Sequence, residues 1–206
     1  MRRLAIALAA LLVAATPAHA ARLSGAERAT LQRYTADTWR SFDVMVDART
    51  GLPADNVTAG GQRSAYTSPT NIGAYLWSTV GAREAGLIGR KEAAQRAGRT
   101  LRTLASMERG PAGQFFNWYD PATGTRLTTW PPDGSPLVAF LSSVDNAWLA
   151  TALHIVERGL PELRAQARAI VAPMNFGFYY DPAVGQLRGG AWTEQPPGCS
   201  AAQDGV

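Results

Sequence analysis

The sequence predicts an all-α fold built from stacked helical hairpins, and three observations carry this prediction. Five segments place apolar residues at helical spacing, and the loops between them are alternately long and short. An Asp-x-x-x-Gly turn also recurs three times, at 47–51, 120–124 and 181–185, so the copies lie 73 and 61 residues apart. That spacing accommodates two helices with their loops, as expected for a helical repeat.

The first helix is predicted to begin at Ser24, because Ser24 and Glu27 match a capping box just before an apolar pattern. Its apolar face comprises Leu31, Tyr34, Trp39, Phe42 and Met45. The first Asp-x-x-x-Gly turn ends this helix, and a long polar loop over 52–68 follows.

The second and third helices are predicted to form the first complete hairpin. Pro69 and Thr70 open the second helix. One side of it carries Ile72, Tyr75, Leu76, Thr79 and Val80. The short turn 86–89 leads into a third helix over about 90–108, and the aromatic strip 115–119 comes next.

The fourth and fifth helices repeat the same loop pattern. A long Pro/Gly-rich loop over 127–140 precedes the fourth helix, which Ser142 or Ser143 can cap. A short turn then leads into a fifth helix over about 161–174. Because long and short loops alternate, the long loops gather at one end of the stack. We expect the functional surface at that end, since binding residues concentrate on elaborated loops of a rigid scaffold.

Residues 1–20 have the pattern of a secretory signal. Arg2 and Arg3 precede an apolar run, and a small-residue cleavage site ends at Ala20. We expect cleavage after Ala20 and export to the periplasm or the medium, with an N-terminal membrane anchor as the alternative. Nothing later in the sequence is long and apolar enough to cross a bilayer.

About 186 residues follow the predicted signal, which is enough to bury one hydrophobic core. We therefore expect a single domain over 21–192. Residues 193–206 are polar, rich in Pro and Gly and without periodicity, so they are predicted to be a disordered or truncated tail. Cys199 is the one cysteine of the sequence, which excludes an intrachain disulfide.

Charge and histidine content argue against several classes of function. Loss of Arg2 and Arg3 with the signal lowers the formal charge from +4 to +2, and no basic block remains for nucleic acid. His154 lies late in the fourth helix, towards the short-turn end. A Ser-His-Asp triad or a histidine metal site is therefore not expected, and the sequence has no phosphate loop or dinucleotide fingerprint.

Aromatic residues stand beside carboxylates in the segments 117–120 and 178–181. This combination is typical of sugar binding, in which ring faces stack on aromatic side chains while hydroxyl groups bond to carboxylates and amides. The alternative is that the aromatic residues close the end of the helical stack. Asp120 also recurs in register with Asp47 and Asp181, which fits an aspartate that caps its own turn.

Asp145 is predicted to lie in the first turn of the fourth helix, at the long-loop end, beside Asn146 and one turn before Trp148. The helix dipole stabilises a carboxylate there in its ionised form, which suits a base or a substrate ligand. An ordinary first-turn aspartate is the alternative. Asn71 opens the second helix at the same end and is a candidate to line a polar cleft, although a capping role also fits.

Three segments, 66–73, 116–120 and 142–146, resemble the glucoamylase-like family in order and spacing, and the resemblance extends from about Leu31 to Trp192. That family includes secreted bacterial endo-β-1,2-glucanases and a region of cyclic β-1,2-glucan synthases. The resemblance implies an (α/α)6 toroid of twelve helices in two rings. It also implies acid/base hydrolysis of a glucan, with β-1,2-glucan the leading substrate, and no cofactor.

The resemblance and the residue patterns together give the candidate site. Its catalytic carboxylates are Asp145 first and Asp120 second, its substrate contacts are Tyr66, Asn71, Asn117, Trp118, Tyr119, Asn146 and Trp148, and no metal is expected. Members of the family are about twice as long, and about five of their twelve helices are recognisable here. Three alternatives therefore stay open: a non-catalytic glycan-binding remnant, a polysaccharide lyase of toroid fold with a tyrosine base, and a purely structural helical repeat.

Overall fold

Helices dominate the computed structural model, which describes residues 23–194 and residue 196. The α-helices are α1 (Gly25–Met45), α2 (Pro69–Glu84), α3 (Arg90–Ser106), α4 (Ser143–Gly159) and α5 (Arg164–Val171). Short 3-10 helices cover Pro111–Gly113, Pro161–Leu163 and Phe176–Tyr179. The predicted signal at 1–20, most of the predicted tail and Cys199 lie outside the described residues. The all-α fold predicted from the sequence is confirmed.

Serine side chains cap three of the helices at their predicted starts. Ser24 Oγ accepts from the Glu27 N–H, and Glu27 Oε2 accepts from the Ser24 N–H, at 3.2 and 2.8 Å, so the predicted capping box is present. Ser68 caps α2. Of the two serines proposed for α4, Ser142 is the cap, accepting from the Asp145 N–H at 3.2 Å, and Ser143 is the first helical residue.

The core lies between two layers of helices. Helices α2 and α4 pack directly on each other, while α3 packs on α2 and α5, and α5 packs on α4. The fully buried side chains of α2 and α4 include Ile72, Tyr75, Leu76, Leu149 and Leu153. Gly73 permits the close approach of this pair, because a Cβ at that position would stand 3.0 Å from the Leu149 Cα.

Helix α1 packs on the rest only through its C-terminal half. Trp39 is buried and stacks on Tyr75 with a centroid distance of 6.2 Å, and Phe42 lies against the same ring. In contrast, Leu31 and Tyr34 are 50% and 58% exposed. The predicted apolar face is therefore correct only from Trp39 onward, since no other element of the described chain covers the first turns.

Four short strands, which the sequence analysis did not predict, lie in the loops. They are β1 (Phe140–Ser142), β2 (Tyr180–Asp181), β3 (Gln186–Leu187) and β4 (Gly190–Trp192). Strands β1 and β4 pair antiparallel with Phe140 opposite Trp192, and β2 pairs with β3 across the third turn. The Thr193 N–H also donates to the Ala139 carbonyl at 2.9 Å, so ordered pairing extends one residue past the predicted domain end.

The three Asp-x-x-x-Gly turns share one backbone geometry. In each, the glycine N–H donates to the carbonyl of the aspartate at 2.8–2.9 Å, and the glycine has a φ of 68–74°. Each aspartate Oδ1 accepts from the N–H two residues later, at 2.8–2.9 Å. The positive φ explains why all three turns end in glycine, and the side-chain hydrogen bond explains why they begin with aspartate.

Candidate functional site

The N-terminal ends of α2 and α4 meet at the long-loop end, joined by the aromatic strip. Thr67, just before α2, exchanges two backbone hydrogen bonds with Tyr119 at 2.9 and 3.0 Å. On the other side, the Asn117 N–H donates to the carbonyl of Phe140, just before α4, at 2.9 Å. The strip therefore lies between the two helix starts, and Asp145 comes immediately after one of them.

Asp145 is held by a side chain of the strip. With the amide of Asn117 oriented to satisfy both its partners, the Asn117 Nδ2 donates to Asp145 Oδ2 at 3.2 Å. In the same orientation the Asn117 Oδ1 accepts from the Trp118 Nε1 at 3.2 Å. The structure thus brings three predicted site residues, Asn117, Trp118 and Asp145, into one hydrogen-bonded series.

Trp118 belongs to a cluster of three half-buried aromatic rings, Tyr66, Trp118 and Trp130, which we call the aromatic cluster. Ring centroids are 5.5 Å apart for Tyr66 and Trp118, 5.2 Å for Trp118 and Trp130, and 4.4 Å for Tyr66 and Trp130. Each ring comes from a different loop. Sequence reasoning missed Trp130, because its loop has no periodicity and the contact is made only in the folded chain.

A second polar network lies on the Tyr66 side and centres on Asp55, also missed by the sequence analysis. Asn71 Nδ2 donates to Asp55 Oδ1 at 2.8 Å, and Ser68 Oγ donates to Asn71 Oδ1 at 2.5 Å. Asn56 Nδ2 donates to Asp55 Oδ2 at 3.2 Å and to the Tyr66 hydroxyl at 3.3 Å. The predicted residues Asn71 and Tyr66 are thereby connected through a carboxylate that the loop sequence gave no reason to select.

Asp55 and Asn71 also line a cavity of about 350 Å³ between α1 and α2. The apolar part of its wall is formed by Phe42, Met45 and Pro53. A mostly apolar recess with a few converging polar groups is the usual form of a small-ligand site. The polar groups at the long-loop end therefore border a recess as well as open surface.

Tyr119 is a correction to the predicted substrate contacts. Its side chain is 0% exposed, its hydroxyl donates to the Glu108 carbonyl at 2.6 Å, and it accepts from the Phe116 N–H at 2.8 Å. Burial raises the pKa of this phenol well above its ordinary value. The alternation of side chains along the extended strip turns Tyr119 into the core while Trp118 faces outward.

Asn146 is a second correction, because it is fully buried. Its Oδ1 accepts from the Phe115 N–H at 2.8 Å, and its Nδ2 donates to the carbonyls of Phe115 and Ser142, both at 2.9 Å. Residues adjacent in a helix point in directions about 100° apart, so Asn146 points inward beside the half-buried Asp145. Its role is to fasten the strip to α4.

Tyr179 lies next to Asn146 in the same buried region. Burial raises the pKa of Tyr179, the bond from Asn146 opposes this change, and the negative charge of Asp145 adds to it. A buried phenol with a raised pKa is a poor general base. Neither Tyr119 nor Tyr179 therefore supports the lyase alternative.

Asp120 is occupied by its own turn. Its Oδ1 accepts from the Ala122 N–H at 2.8 Å, and its Oδ2 accepts from Thr123 Oγ1 at 3.0 Å. The equivalent Asp47 behaves in the same way. Burial opposes its ionisation, but the N–H groups of Thr50 and Arg49, together with the positive charges of Arg49 and Arg63, outweigh this effect and lower its pKa. These bonds fit the turn-capping interpretation that the sequence left open.

Trp148 lies one turn beyond Asp145 and is 45% exposed. It contacts Trp77 of α2, which is 44% exposed, with a centroid distance of 5.9 Å. This pair is a second accessible aromatic surface, formed by α2 and α4 themselves.

The described residues form neither a metal-binding cluster nor a membrane-spanning helix. Within 23–194 and 196, no three His, Cys, Asp or Glu side chains cluster in a way that could hold a metal ion. In the same part of the chain, no helix combines the length and apolar character needed to cross a membrane.

The fold places the chain in the class of glucoamylase-like α/α toroids. It is similar to an endo-β-1,2-glucanase from Chitinophaga pinensis solved with sophorotriose and glucose, with a TM-score of 0.64 and 15% identity over 82% of this chain and 41% of that one. It is also similar to a candidate glucoamylase from Bacteroides fragilis NCTC 9343, with a TM-score of 0.61 and 16% identity over 82% of this chain and 44% of that one. The chain thus spans less than half the length of these structures, and at such identities the likeness shows the fold alone.

Residues 33–190 match the family DUF3131, described as proteins of unknown function, and the chain belongs to that family. A stretch of 92 residues is 39% identical to the cyclic β-(1,2)-glucan synthase NdvB of Rhizobium meliloti (strain 1021). That match covers 43% of this chain but 3% of the synthase. The resemblance read from the three sequence motifs is therefore confirmed at the level of family and fold.

Proposed function

We propose that this protein acts on β-1,2-glucan as a glycoside hydrolase of the glucoamylase-like type. The observation that carries the proposal is Asp145, held by Asn117 at the start of α4 and linked through it to the aromatic cluster. Aromatic faces beside a carboxylate suit a pyranose ring and its hydroxyl groups. The names of the Chitinophaga glucanase and of the Rhizobium synthase favour a β-1,2 linkage.

In this proposal Asp145 acts as a hydrogen-bonding carboxylate. The Asn117 amide donates to one of its oxygens, leaving the other for a water molecule or a sugar hydroxyl. A glycosidase needs two carboxyl groups, one to protonate the leaving oxygen and one to act on the opposite face of the sugar. Asp145 is assigned the second of these roles, the base or stabilising carboxylate.

A glycan-binding protein without turnover is the second candidate. It is favoured by one specific finding, that the aromatic cluster and the Trp77–Trp148 pair are accessible stacking surfaces. Such surfaces can bind a sugar ring without a second catalytic carboxylate. Both candidates use the same surface, so one set of experiments separates them.

The test is the release of reducing ends from β-1,2-glucan by the whole chain and by Asp145→Asn. The variant keeps the size and shape of the side chain but removes its charge and replaces one acceptor oxygen with an NH2 donor. Turnover is therefore expected to fall by a factor on the order of 10²–10⁴. Glucan affinity, measured by titration calorimetry, is expected to stay within a few fold.

Asp37→Asn is the matched control, because Asp37 is an exposed aspartate of α1 paired with Arg40. It should leave both turnover and affinity unchanged. Turnover that survives in Asp145→Asn would refute the catalytic assignment. Glucan binding by the unmodified chain with no reducing-end release would instead establish the binding candidate.

A further inference from the structure

Trp130 begins a fourth turn of the same geometry, at the position where the three Asp-x-x-x-Gly turns carry aspartate. The segment 130–134 has the same backbone as the Asp-x-x-x-Gly turns: the Gly134 N–H donates to the Trp130 carbonyl at 2.8 Å, and Gly134 has a φ of 74°. The side-chain cap of this turn comes from Asp133, whose Oδ1 accepts from the Ser135 N–H at 2.9 Å. The turn therefore does not depend on the indole of Trp130.

The remaining contacts of the 130–134 turn also leave the indole without a role in the core. Pro131, Pro132 and Asp133 are exposed, and the aromatic neighbours of Trp130 are Tyr66 and Trp118, both half-buried. An indole set at 38° to the phenol of Tyr66 and 63° to the indole of Trp118 gives a shallow aromatic surface rather than a closed core. Such a surface is a platform on which a flat apolar ligand face can rest.

A groove of about 350 Å³ begins at the edge of this platform, between the 55–66 loop and the 130–134 turn. Tyr66 and Pro131 form its apolar wall, and the Gln62 amide and the Asn56 Oδ1 supply neutral hydrogen-bonding groups. The Ser64 hydroxyl also lies in the lining, but it already donates to the Tyr66 carbonyl and accepts from the Asp55 and Asn56 N–H groups. Its one charged lining residue, Arg63, donates from Nη1 to the Val46 carbonyl at 2.8 Å, so this donor is already used. The lining suits a neutral, hydroxyl-rich ligand better than an ionic one.

We propose that Trp130, with Tyr66 and this groove, forms an additional subsite for one neutral pyranose unit of the glucan chain, away from the unit next to Asp145. The subsite rests on the proposed function for the identity of its ligand. The aromatic cluster joins the two regions, because Trp118 contacts Trp130 on one side and the Asn117–Asp145 pair on the other. Its sugar unit stacks on the rings while its hydroxyl groups bond to the neutral side chains.

The experiment compares Trp130→Leu with Trp130→Phe in the whole chain, on an Asp145→Asn background so that no ligand is consumed. The probe is a β-1,2-linked gluco-oligosaccharide longer than sophorotriose, titrated by calorimetry. Leucine keeps apolar volume but loses the flat ring, so the Kd is expected to rise about tenfold, while phenylalanine should stay within about threefold. Trp192→Leu is the matched control: this indole is 41% exposed but packs on Phe140, outside the cluster, and its replacement should not change the Kd.

Proteolytic cleavage within 130–134, measured in parallel, reports whether the turn keeps its conformation. If the Asp145→Asn protein binds the oligosaccharide and Trp130→Leu on that background binds it with unchanged affinity, the subsite is overturned while the proposed function stays intact. Equal losses in the leucine and phenylalanine variants together with faster cleavage would also overturn it, since they indicate a loop-packing role. A loss in Trp130→Leu alone, combined with undiminished turnover by Asp145→Asn, would keep the subsite and reject the catalytic role of Asp145. If the unmodified chain binds no β-1,2-glucan, both the subsite and the proposed function are rejected.

Discussion

The aspartates of this chain differ in their roles because their immediate hydrogen-bond partners differ. Asp47, Asp120 and Asp181 each accept a backbone N–H of their own turn. Asp145 accepts instead from the side chain of Asn117, which comes from another loop. A carboxylate bound to its own turn contributes to local stability, whereas Asp145 connects the start of α4 to the aromatic strip.

Neighbouring residues of α4 also differ in role, because Asp145 is the proposed catalytic carboxylate whereas Asn146 is buried in the core. Asn146 makes its three short bonds in the core, and each keeps a buried backbone group satisfied. A buried polar group left without a partner costs about 1–3 kcal/mol. The amide of Asn146 is therefore a structural requirement of the surface that presents Asp145.

Asn146→Ala is expected to lower the free energy of unfolding by about 2–4 kcal/mol, because the Phe115 N–H and the Phe115 carbonyl lose their Asn146 partner in the core. The Ser142 carbonyl keeps the Tyr179 hydroxyl as a donor. Urea denaturation followed by circular dichroism measures the change. Asn56→Ala, at an exposed asparagine, should cost less than about 1 kcal/mol. Equal effects of the two substitutions would contradict the structural role given to Asn146.

At the scale of elements, the close pairing of α2 and α4 sets the position of the candidate site. Both helices begin at the long-loop end, and the aromatic strip is hydrogen-bonded to the residues preceding each. Any change in the separation of the two helices would move Asn71 relative to Asp145. Gly73 and Gly81, both in α2, offer a direct test, because one faces α4 and the other faces open space.

Gly73→Ala is expected to destabilise the protein by about 1–3 kcal/mol, since the added Cβ would stand 3.0 Å from the Leu149 Cα and the Trp148 carbonyl oxygen. Gly81→Ala meets no atom within 4 Å and should stabilise the helix by roughly 0.5–1 kcal/mol. Thermal melts of the two variants should shift in opposite directions. A pair of shifts with the same sign would show that α2 and α4 are not held at this separation.

At the scale of the whole molecule, the chain combines a well-packed layer pair with apolar side chains left in solvent. Leu31 and Tyr34 on α1, and Trp77 and Trp148 on α2 and α4, are each at least 44% exposed. The solved relatives extend over more than twice the length that this chain matches. These side chains form apolar surface that stays exposed within the described part of the chain.

Export is a property of the whole molecule that the N-terminal sequence predicts. When the full chain is expressed in a bacterial host, we expect the protein in the periplasm or medium, with a mature N-terminus at Ala21. Intact-mass spectrometry of the exported protein measures the cleavage. A product that keeps residues 1–20 and sediments with membranes would support the anchor alternative.

The sequence by itself determined the helices and the repeated turns, because these depend on local chemistry. The capping box at Ser24, proline at the start of α2 and glycine with a positive φ in each turn act within a few residues of their own position. The family resemblance likewise followed from three short motifs. The apolar pattern of α1 was less informative, since periodicity shows that a face is apolar but not that another element covers it.

Only the tertiary structure decided which polar and aromatic residues face outward and which of them meet. Tyr119 and Asn146 matched the candidate motifs but are buried, while Asp55 and Trp130 lie in loops without periodicity and belong to the networks at the long-loop end. The physical reason is that these contacts join loops far apart in the chain. Their partners are fixed by how α2 and α4 pack, and no local sequence pattern records that packing.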